Sequence, residues 1–434
     1  MKNTKNKKER ETSEKEIGIV HLWDLPEDMV YLKLRPSIER KLLALLLQIC
    51  KSKKEIARRT RVSKSIIEKM FSRATYSISI KTLRRLSLFL SKYDKRFELE
   101  KLERKILYIR TKGSTSGKVF FPKFPINFNC KEGGKIIGAL FGDGSLRKDL
   151  RPLYTNTKVE RIHEIIRSLQ KVIGKFKVSK FVKVRSPTKS GSISITYSCD
   201  FPKVIGITLH YGFGMENGDK IVNDPPLPSF CFKMSEEFKK GLLSVFFGDE
   251  AHVNAAGEDK APQIVLRQAK LLRNYTPPRR LIGIKRLLED FGLKPRIFLE
   301  RVYLSKNGKT GMFTLLISRF DDTSFFFKKI GINHARKMKK LKNLLAKTTR
   351  KMSIDEYLLR KSLSSLLPIM KVILSLDGKN ITSVKVASLT GRDVDSVKRI
   401  LNKLAERGVL RVKEKGKPLN GKGHSCDIFE ISSL

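Results

Sequence analysis

Acidic residues are scarce in this sequence of 434 residues. It contains 43 Asp and Glu against 91 Lys and Arg, so the formal net charge is +48 at pH 7. A chain with so large a charge of one sign attracts polyanions, because each contact between a basic side chain and a phosphate releases counterions. Nucleic acid is therefore the expected partner.

Long apolar segments are also missing. No stretch approaches the roughly 20 apolar residues that a membrane-spanning helix needs, whereas a hydrophobic content of 40% suits a folded core. The first residues are charged and polar and lack the apolar segment of a secretory signal, so we expect a disordered basic arm over 1–16. The sequence predicts a soluble cytoplasmic protein that associates with the nucleoid and not with a membrane.

Cysteine is rare, and its spacing argues against metal or redox chemistry. The five cysteines are odd in number, lie far apart and form no Cys-x-x-Cys pair. None of the six histidines lies at metal-ligand spacing from another. We therefore expect no zinc site or redox pair.

Two breaks in composition divide the chain into three blocks. One is the small polar stretch 111–117, and the other is the basic stretch 337–351. We predict a domain over 17–112, a core over 118–345 and a further domain over 352–434.

The first block is predicted to be all helical. Apolar residues repeat at helical spacing over 37–49, 79–92 and 98–109. Between the first two of these segments, the buried positions of a helix, a turn and a second helix fall on Ile56, Ala57, Val62, Ile67 and Met70. We therefore expect an all-α domain that contains a helix-turn-helix pair.

This spacing resembles the helix-turn-helix of the phage-repressor type. Ser63 is expected to cap the second helix, and Arg61 occupies the turn position at which the motif usually has glycine. The resemblance implies that Lys64, Ser65 and Lys69 face a groove of DNA. A helical pair that packs in a core and binds nothing is the alternative.

The third block combines a second helical pair with two strands. Helices are predicted at 383–390 and 396–407, with Gly391 at the turn and Asp393 as the cap. Strands are predicted at 409–413 and 427–431. This order is similar to that of a winged helix.

The winged-helix resemblance implies two kinds of DNA contact. Lys398 and Arg399 on the second helix would provide recognition. Phosphate contacts from the hairpin between the strands would come from Lys413, Lys415, Lys417 and Lys422. A module that dimerises with protein instead of binding DNA is the alternative.

The central block contains the same pattern twice. KIIGALFGDGSL at 135–146 and KGLLSVFFGDEAHV at 240–253 both predict an apolar helix that ends in Phe-Gly-Asp. The same order of strands and helices is predicted after each copy, and the two aspartates are 106 residues apart. We predict an α+β core with pseudo-symmetric repeats over 130–230 and 234–345.

These residues resemble the LAGLIDADG homing endonucleases in their single-chain form with two repeats. Residues 136–144 fit the nine-residue signature, with Gly138 at the helix contact and Asp143 at the acidic position. The second copy is looser, with Ser244 at the helix contact and Asp249 as the acid. A register one residue later makes Glu250 the acid, with Ala251 in place of the glycine that follows it.

The family resemblance implies a duplicated αββαββα core, flanked here by the helix-turn-helix and winged-helix domains. Asp143 and Asp249 would be catalytic acids, and Asp143, Asp249 and Glu250 would be Mg²⁺ ligands, since Mg²⁺ prefers carboxylate oxygens. Lys220 and Lys337 match a lysine late in each repeat that organises the attacking water or stabilises charge. In so basic a chain, a solvated lysine is the alternative at both positions.

The sequence thus predicts an endonuclease that makes Mg²⁺-dependent staggered cuts in double-stranded DNA and is monomeric through its duplicated core. The ends of the chain lack the residues that begin and close an intein, so we expect it to be freestanding. A transcription regulator with the same fold, which binds without cutting, is one alternative. An intron RNA maturase is another, although the flanking modules fit the major groove of DNA better than that of RNA.

Overall fold

The computed structural model describes residues 17–113, 117–187, 193–255, 262–272, 275–305, 308–350, 367–376, 380–406, 409–415 and 427–431. The chain forms two compact units, residues 1–345 and 346–434. The predicted arm over 1–16 and two of the predicted phosphate contacts, Lys417 and Lys422, lie outside the described residues.

The start of the first unit combines helices with short strands. Its helices are α1 (Pro36–Cys50), α2 (Lys53–Thr60), α3 (Lys64–Ser72), α4 (Ile80–Leu90) and α5 (Leu99–Glu103). Its strands are β1 (Ile19–Val20), β2 (Val30–Leu34), β3 (Ile78–Ser79), β4 (Ile106–Thr111), β5 (Val119–Phe120) and β6 (Ile126–Asn127).

The prediction of an all-α first block is wrong. The helix predicted over 98–109 ends at Glu103, and the chain continues as strand β4. β4 pairs with β2 and β5, and residues such as Ile106 and Ile109 suit a pleated, half-buried surface. Lys175 and Phe176 of the central block form a further strand in this sheet, which therefore joins the first two blocks.

The predicted helix-turn-helix pair corresponds to α2 and α3. Ile56, Val62, Ile67 and Met70 are buried, as predicted. Arg61 adopts the left-handed backbone of the turn, with φ of 55°. Ser63 precedes α3, but among the described residues its hydroxyl makes no capping hydrogen bond, so that detail of the prediction is wrong.

The central part of the first unit contains two long helices, each followed by a four-stranded antiparallel sheet. The first half comprises α6 (Lys131–Phe141), β7 (Gly144–Leu146), β8 (Pro152–Asn156), α7 (Val159–Val172), β9 (Lys175–Phe176), β10 (Lys180–Pro187), β11 (Ile193–Asp200), α8 (Lys203–Ile207) and α9 (Lys220–Asn223). The second half comprises α10 (Glu236–Glu250), β12 (Ala251–Ala255), β13 (Pro262–Leu271), α11 (Arg279–Glu289), β14 (Arg296–Ser305), β15 (Gly308–Ile317), α12 (Phe320–Phe325) and α13 (Ala335–Arg350).

The two sheets have the same strand order. The first runs β10, β11, β8, β7, and the second runs β14, β15, β13, β12. A π-helical turn follows α8 at Thr208–Gly212, and another follows α12 at Phe326–Ile330. Elements of the same type therefore occupy the same place in each half.

Helices α6 and α10 approach closely because glycines face the partner backbone. A Cβ atom at Gly134 would lie 2.0 Å from the carbonyl oxygen of Phe238, and one at Gly138 would lie 2.4 Å from that of Leu242. On α10, a Cβ at Gly241 would lie 2.2 Å from the carbonyl oxygen of Lys131. The position on α10 that has no room for a side chain is therefore Gly241, which lies three residues before the predicted contact residue.

The predicted contact residue, Ser244, is only half buried. Its carbonyl oxygen accepts a hydrogen bond of 2.9 Å from the backbone N–H of Asn333.

The second unit has a small core of its own, which includes Ile373, Val386, Leu401 and Phe429. Its elements are α14 (Leu367–Ser375), β16 (Ile381–Thr382), α15 (Ser383–Thr390), α16 (Val394–Glu406), β17 (Leu410–Glu414) and β18 (Ile428–Ile431). The three strands form a sheet in the order β16, β18, β17.

The turn of the second unit has the predicted chemistry. Gly391 is left-handed, with φ of 64°. The Asp393 carboxylate caps the next helix by accepting a hydrogen bond of 2.9 Å from the Ser396 amide.

Across the described residues of the whole chain, no helix has the length and apolar character required to span a bilayer.

The helix contact makes Gly134→Ala strongly destabilising. The new methyl group would meet a backbone carbonyl that cannot rotate away, so we expect a loss of more than about 3 kcal/mol in the free energy of unfolding. Urea denaturation measures this loss. Gly113→Ala is the control, because its site is open and costs only the left-handed strain of about 1–2 kcal/mol. Equal losses in the two variants would contradict the close contact.

Candidate active site

Three acidic residues line one cavity of about 590 Å³: Asp219 is one of them, and the other two come from the central helices. Asp143 follows the C-terminal end of α6, and Glu250 is the last residue of α10. Lys220, Gln268 and Arg280 line the same cavity. The ends of the two helices thus bring both acids to one site, together with basic and amide groups.

The two predicted lysines make matching contacts with the helix ends. The Lys220 ammonium donates hydrogen bonds to the carbonyl oxygens of Phe141, at 3.0 Å, and Gly142. The Lys337 ammonium donates to the carbonyl oxygens of Gly248, at 2.7 Å, and Asp249, at 3.2 Å. Each lysine therefore holds the last two peptide groups before an acidic residue.

These contacts define which residues of the two halves correspond. The residue after the first lysine-bound pair is Asp143, and the residue after the second pair is Glu250. The helix contact has the same offset, because Gly134 and Gly241 are 107 residues apart, as are Asp143 and Glu250. The geometry favours the later of the two registers considered from the sequence, in which Asp249 corresponds to Gly142.

Asp249 makes a buried ion pair instead of lining the cavity. Its side chain is 0% exposed and accepts a hydrogen bond of 2.8 Å from Nη2 of Arg161. The Tyr154 hydroxyl donates to the same carboxylate at 3.0 Å. Burial raises the pKa of Asp249, and the Arg161 guanidinium opposes that rise. Asp249 thus links the end of α10 to β8 and α7 in the first half.

Three polar side chains at the site were not predicted from the sequence. Nδ2 of Asn156 donates a hydrogen bond of 2.8 Å to Oδ2 of Asp143. Within the described residues, both amide atoms of buried Gln268 and Nε of Arg280 lack a hydrogen-bond partner. Comparison of the two repeats could have identified the arginine, because Arg161 and Arg280 both lie in the first turn of the helix after the sheet's second strand.

The cavity holds charges that are poorly compensated by solvent. Burial, together with the negative charges of Asp249 and Glu250, raises the pKa of Asp143. Burial likewise raises the pKa of Glu250. Burial lowers the pKa of both Lys220 and Lys337. A cation bound between the two acids would offset the cost of keeping them ionised.

The predicted DNA-contact residues that the structure describes lie on α3 in the first unit and on α16 and the end of β17 in the second unit. Lys64 and Ser65 are exposed on α3, where Lys69 is half buried. In the second unit, Arg399 is exposed on α16 and Lys398 is half buried there, while Lys413 and Lys415 are exposed at the end of the described part of the hairpin.

Comparisons with known proteins give distant similarities. No family model matches the chain. A DNA-directed RNA polymerase subunit Rpo1N of Methanocaldococcus jannaschii is 22% identical over 244 residues, which are 50% of this chain but only 17% of that subunit. The chain thus spans about a sixth of the curated relative.

Two solved structures are also similar to the chain. The homing endonuclease I-WcaI bound to its DNA recognition sequence is 15% identical, with a TM-score of 0.29 over 50% of this chain and 85% of that one. I-DmoI in complex with DNA and Mn is 14% identical, with a TM-score of 0.30 over 47% and 98%. Similarity at this level does not assign a function.

Replacement of Asp249 tests its role in the buried ion pair. Asp249→Asn should cost about 3–5 kcal/mol in the free energy of unfolding, because it leaves the Arg161 charge without its main partner. The double variant Asp249→Asn with Arg161→Gln should lose less than the sum of the two single losses. Denaturant unfolding of the four proteins gives the coupling energy. Strictly additive losses would contradict the pairing.

Proposed function

We propose that the protein is a site-specific DNA endonuclease of the LAGLIDADG type, which makes Mg²⁺-dependent staggered double-strand cuts. Asp143 and Glu250 are its paired metal-binding acids. The observation that carries the proposal is their convergence in one cavity from the ends of two helices in contact through glycines. Asp249, the first choice from the sequence, has a supporting role in this account.

The side chains in the cavity fit a divalent cation. Mg²⁺ is commonly held by one or two carboxylates, with waters and substrate phosphates completing the octahedron. Within the described part of the chain, no group of three or more His, Cys, Asp or Glu could hold a metal ion by itself. Two carboxylates beside the unpaired amide of Gln268 therefore suit a cation whose remaining ligands arrive with DNA.

The residues at the site have different roles in this proposal. The site would hold a divalent cation, whose chemistry would be to polarise the scissile phosphate and to lower the pKa of the attacking water. Asp143 and Glu250 hold it, and the Asn156 amide orients the Asp143 carboxylate. Lys220 and Lys337 add positive charge beside the acids, where charge develops on the phosphate. Arg280 and Gln268 are placed to donate to phosphate or water.

DNA binding by the proposed enzyme is supported by charge. The net charge of +48 provides the sequence-independent part of the affinity. The duplicated core would act as a monomer on double-stranded DNA. The α2 and α3 pair and the second unit, as helix-turn-helix and winged-helix modules, would lengthen the contact with the site.

Cleavage of a plasmid library with random duplex inserts tests the proposal. With Mg²⁺, the wild-type protein should linearise a subset of plasmids that share a sequence. Asp143→Asn and Glu250→Gln should each slow cleavage by more than about 100-fold, because loss of a metal ligand costs more than loss of an outer-shell partner.

Asp249→Asn, assayed well below its melting temperature, serves as the matched control. It should retain more activity than Glu250→Gln. Retention of DNA binding by the wild type without cuts under any divalent cation would overturn the endonuclease and favour a transcription regulator. Full activity in Glu250→Gln with none in Asp249→Asn would overturn the assignment of the second acid.

A further inference from the structure

The face of the second sheet that is not covered by helices carries several exposed arginines, and one of them, Arg267, has a defined setting. In the register of the sheet, Arg267 of β13 lies opposite Thr314 of β15, which lies opposite Phe298 of β14. Leu266 and Gln268, the neighbours of Arg267 along the strand, are buried, whereas the Arg267 side chain is 41% exposed. Arg267 therefore projects from the open face, at a point where it also lines the cavity of Asp143 and Glu250.

A bulge in β14 brings a carboxylate to this arginine. The register shifts between Leu299 and Arg301, so Glu300 is the extra residue on that strand. Oε2 of Glu300 accepts a hydrogen bond of 2.6 Å from Nε of Arg267. The hydroxyl of Thr314, which is only 2% exposed, donates to the same oxygen. The carboxylate is thus fixed by two donors from two neighbouring strands.

The geometry leaves the outer edge of the guanidinium available. Nε is occupied by Glu300, and among the described residues Nη1 and Nη2 of Arg267 have no hydrogen-bond partner. The hydrogen bond from Arg267 lowers the pKa of Glu300, so this carboxylate stays ionised at neutral pH and holds the planar group in one orientation. An arginine held in this way presents two parallel donors.

The corresponding place on the first sheet has different chemistry. There Thr155 of β8 lies opposite Ser198 of β11, which lies opposite Val182 of β10. The Thr155 hydroxyl donates to that of Ser198 at 3.4 Å, and this row carries no charged side chain. The two halves of the protein therefore present different groups at equivalent positions.

We propose that Arg267, oriented by Glu300 and Thr314, determines sequence specificity by reading one guanine in the major groove. This inference rests on the proposed function, in which the duplicated core binds double-stranded DNA, and it adds that the open face of the second sheet contacts the duplex. Guanine presents the adjacent acceptors O6 and N7, which match two parallel donors of arginine. The half-site on the first sheet has no such requirement, so the preferred site is asymmetric at this position.

A contact with a phosphate is the competing use of Arg267, and Glu300 argues against it. Phosphate binding needs neither a fixed plane nor a neighbouring carboxylate, whose negative charge would repel the backbone of DNA. A base edge carries no net charge and requires donors in a fixed orientation. The carboxylate and the bulge that presents it are explained by base recognition.

Selection from a randomised duplex pool by DNA binding, without Mg²⁺, tests the inference. The wild type should enrich a motif with one position restricted to guanine. Replacement of that guanine by adenine should weaken wild-type binding by about 5-fold to 150-fold. Arg267→Lys keeps the charge but loses the paired donors, so it should lose the preference at that position alone. Glu300→Gln should reduce the same preference.

Lys309→Gln is the control for a lost charge, since Lys309 is exposed on the same sheet. It should weaken all sequences alike. If Arg267→Gln leaves the motif unchanged, weakens all duplexes equally and lowers the salt dependence by about one counterion, Arg267 contacts a phosphate and the inference falls. Melting temperatures establish that the variants are folded.

The same selection separates this inference from the endonuclease proposal. An enriched motif with an Arg267-dependent guanine supports the inference even if no DNA is cut. An absence of any enriched motif for the wild type overturns both the specific DNA binding and the role of Arg267. A motif whose guanine persists in Arg267→Lys and in Glu300→Gln overturns the inference alone.

Discussion

The close contact between α6 and α10 is the constraint on which the candidate site depends. Backbone faces backbone at Gly134, Gly138 and Gly241, so the two helices have little freedom to slide past one another. Any slip would drive a side chain of one helix into the carbonyl groups of the other. The position of both helix ends, and thus of Asp143 and Glu250, follows from this contact.

The acidic residues at the ends of α6 and α10 are of two kinds. The Asp249 carboxylate already has partners within the protein, because it pairs with Arg161 and accepts a hydrogen bond from Tyr154. It therefore stabilises the contact between the two halves of the core. Asp143 and Glu250 face a cavity in which burial disfavours their ionised forms. Such an arrangement suits a site in which a bound cation compensates the negative charge of the two acids. Acids with a purely structural role would each have a basic partner within the protein, as Asp249 has in Arg161.

The sequence allowed much of the architecture to be predicted, because the repeated pattern is strong at the level of elements. The same order of strands and helices follows each of the two motifs, as the repeated pattern predicts. The strand at Ile106–Thr111 was mistaken for a helix because a short apolar run has no decisive periodicity. Its pairing with β2, across more than 70 residues of chain, determines its conformation.

The second acid could not be chosen from the sequence for a different reason. The Phe-Gly-Asp sequence that occurs in both repeats favoured Asp249. Backbone contacts, which the sequence does not show, instead make Glu250 the structural equivalent of Asp143. Lys220 and Lys337 reveal the correspondence only through the carbonyl groups that they bind. Sheet register, which the local sequence leaves undefined, likewise brings Asn156 to the Asp143 carboxylate and Gln268 to the cavity.

Electron paramagnetic resonance of bound Mn²⁺ shows whether Asp143 and Glu250 share a divalent cation site. We expect the protein in complex with a selected duplex to bind Mn²⁺, and we expect Asp143→Asn and Glu250→Gln each to weaken this binding by more than about 10-fold. Asp249→Asn should leave it nearly unchanged. Loss of Mn²⁺ binding in Asp249→Asn with normal binding in Glu250→Gln would contradict the account.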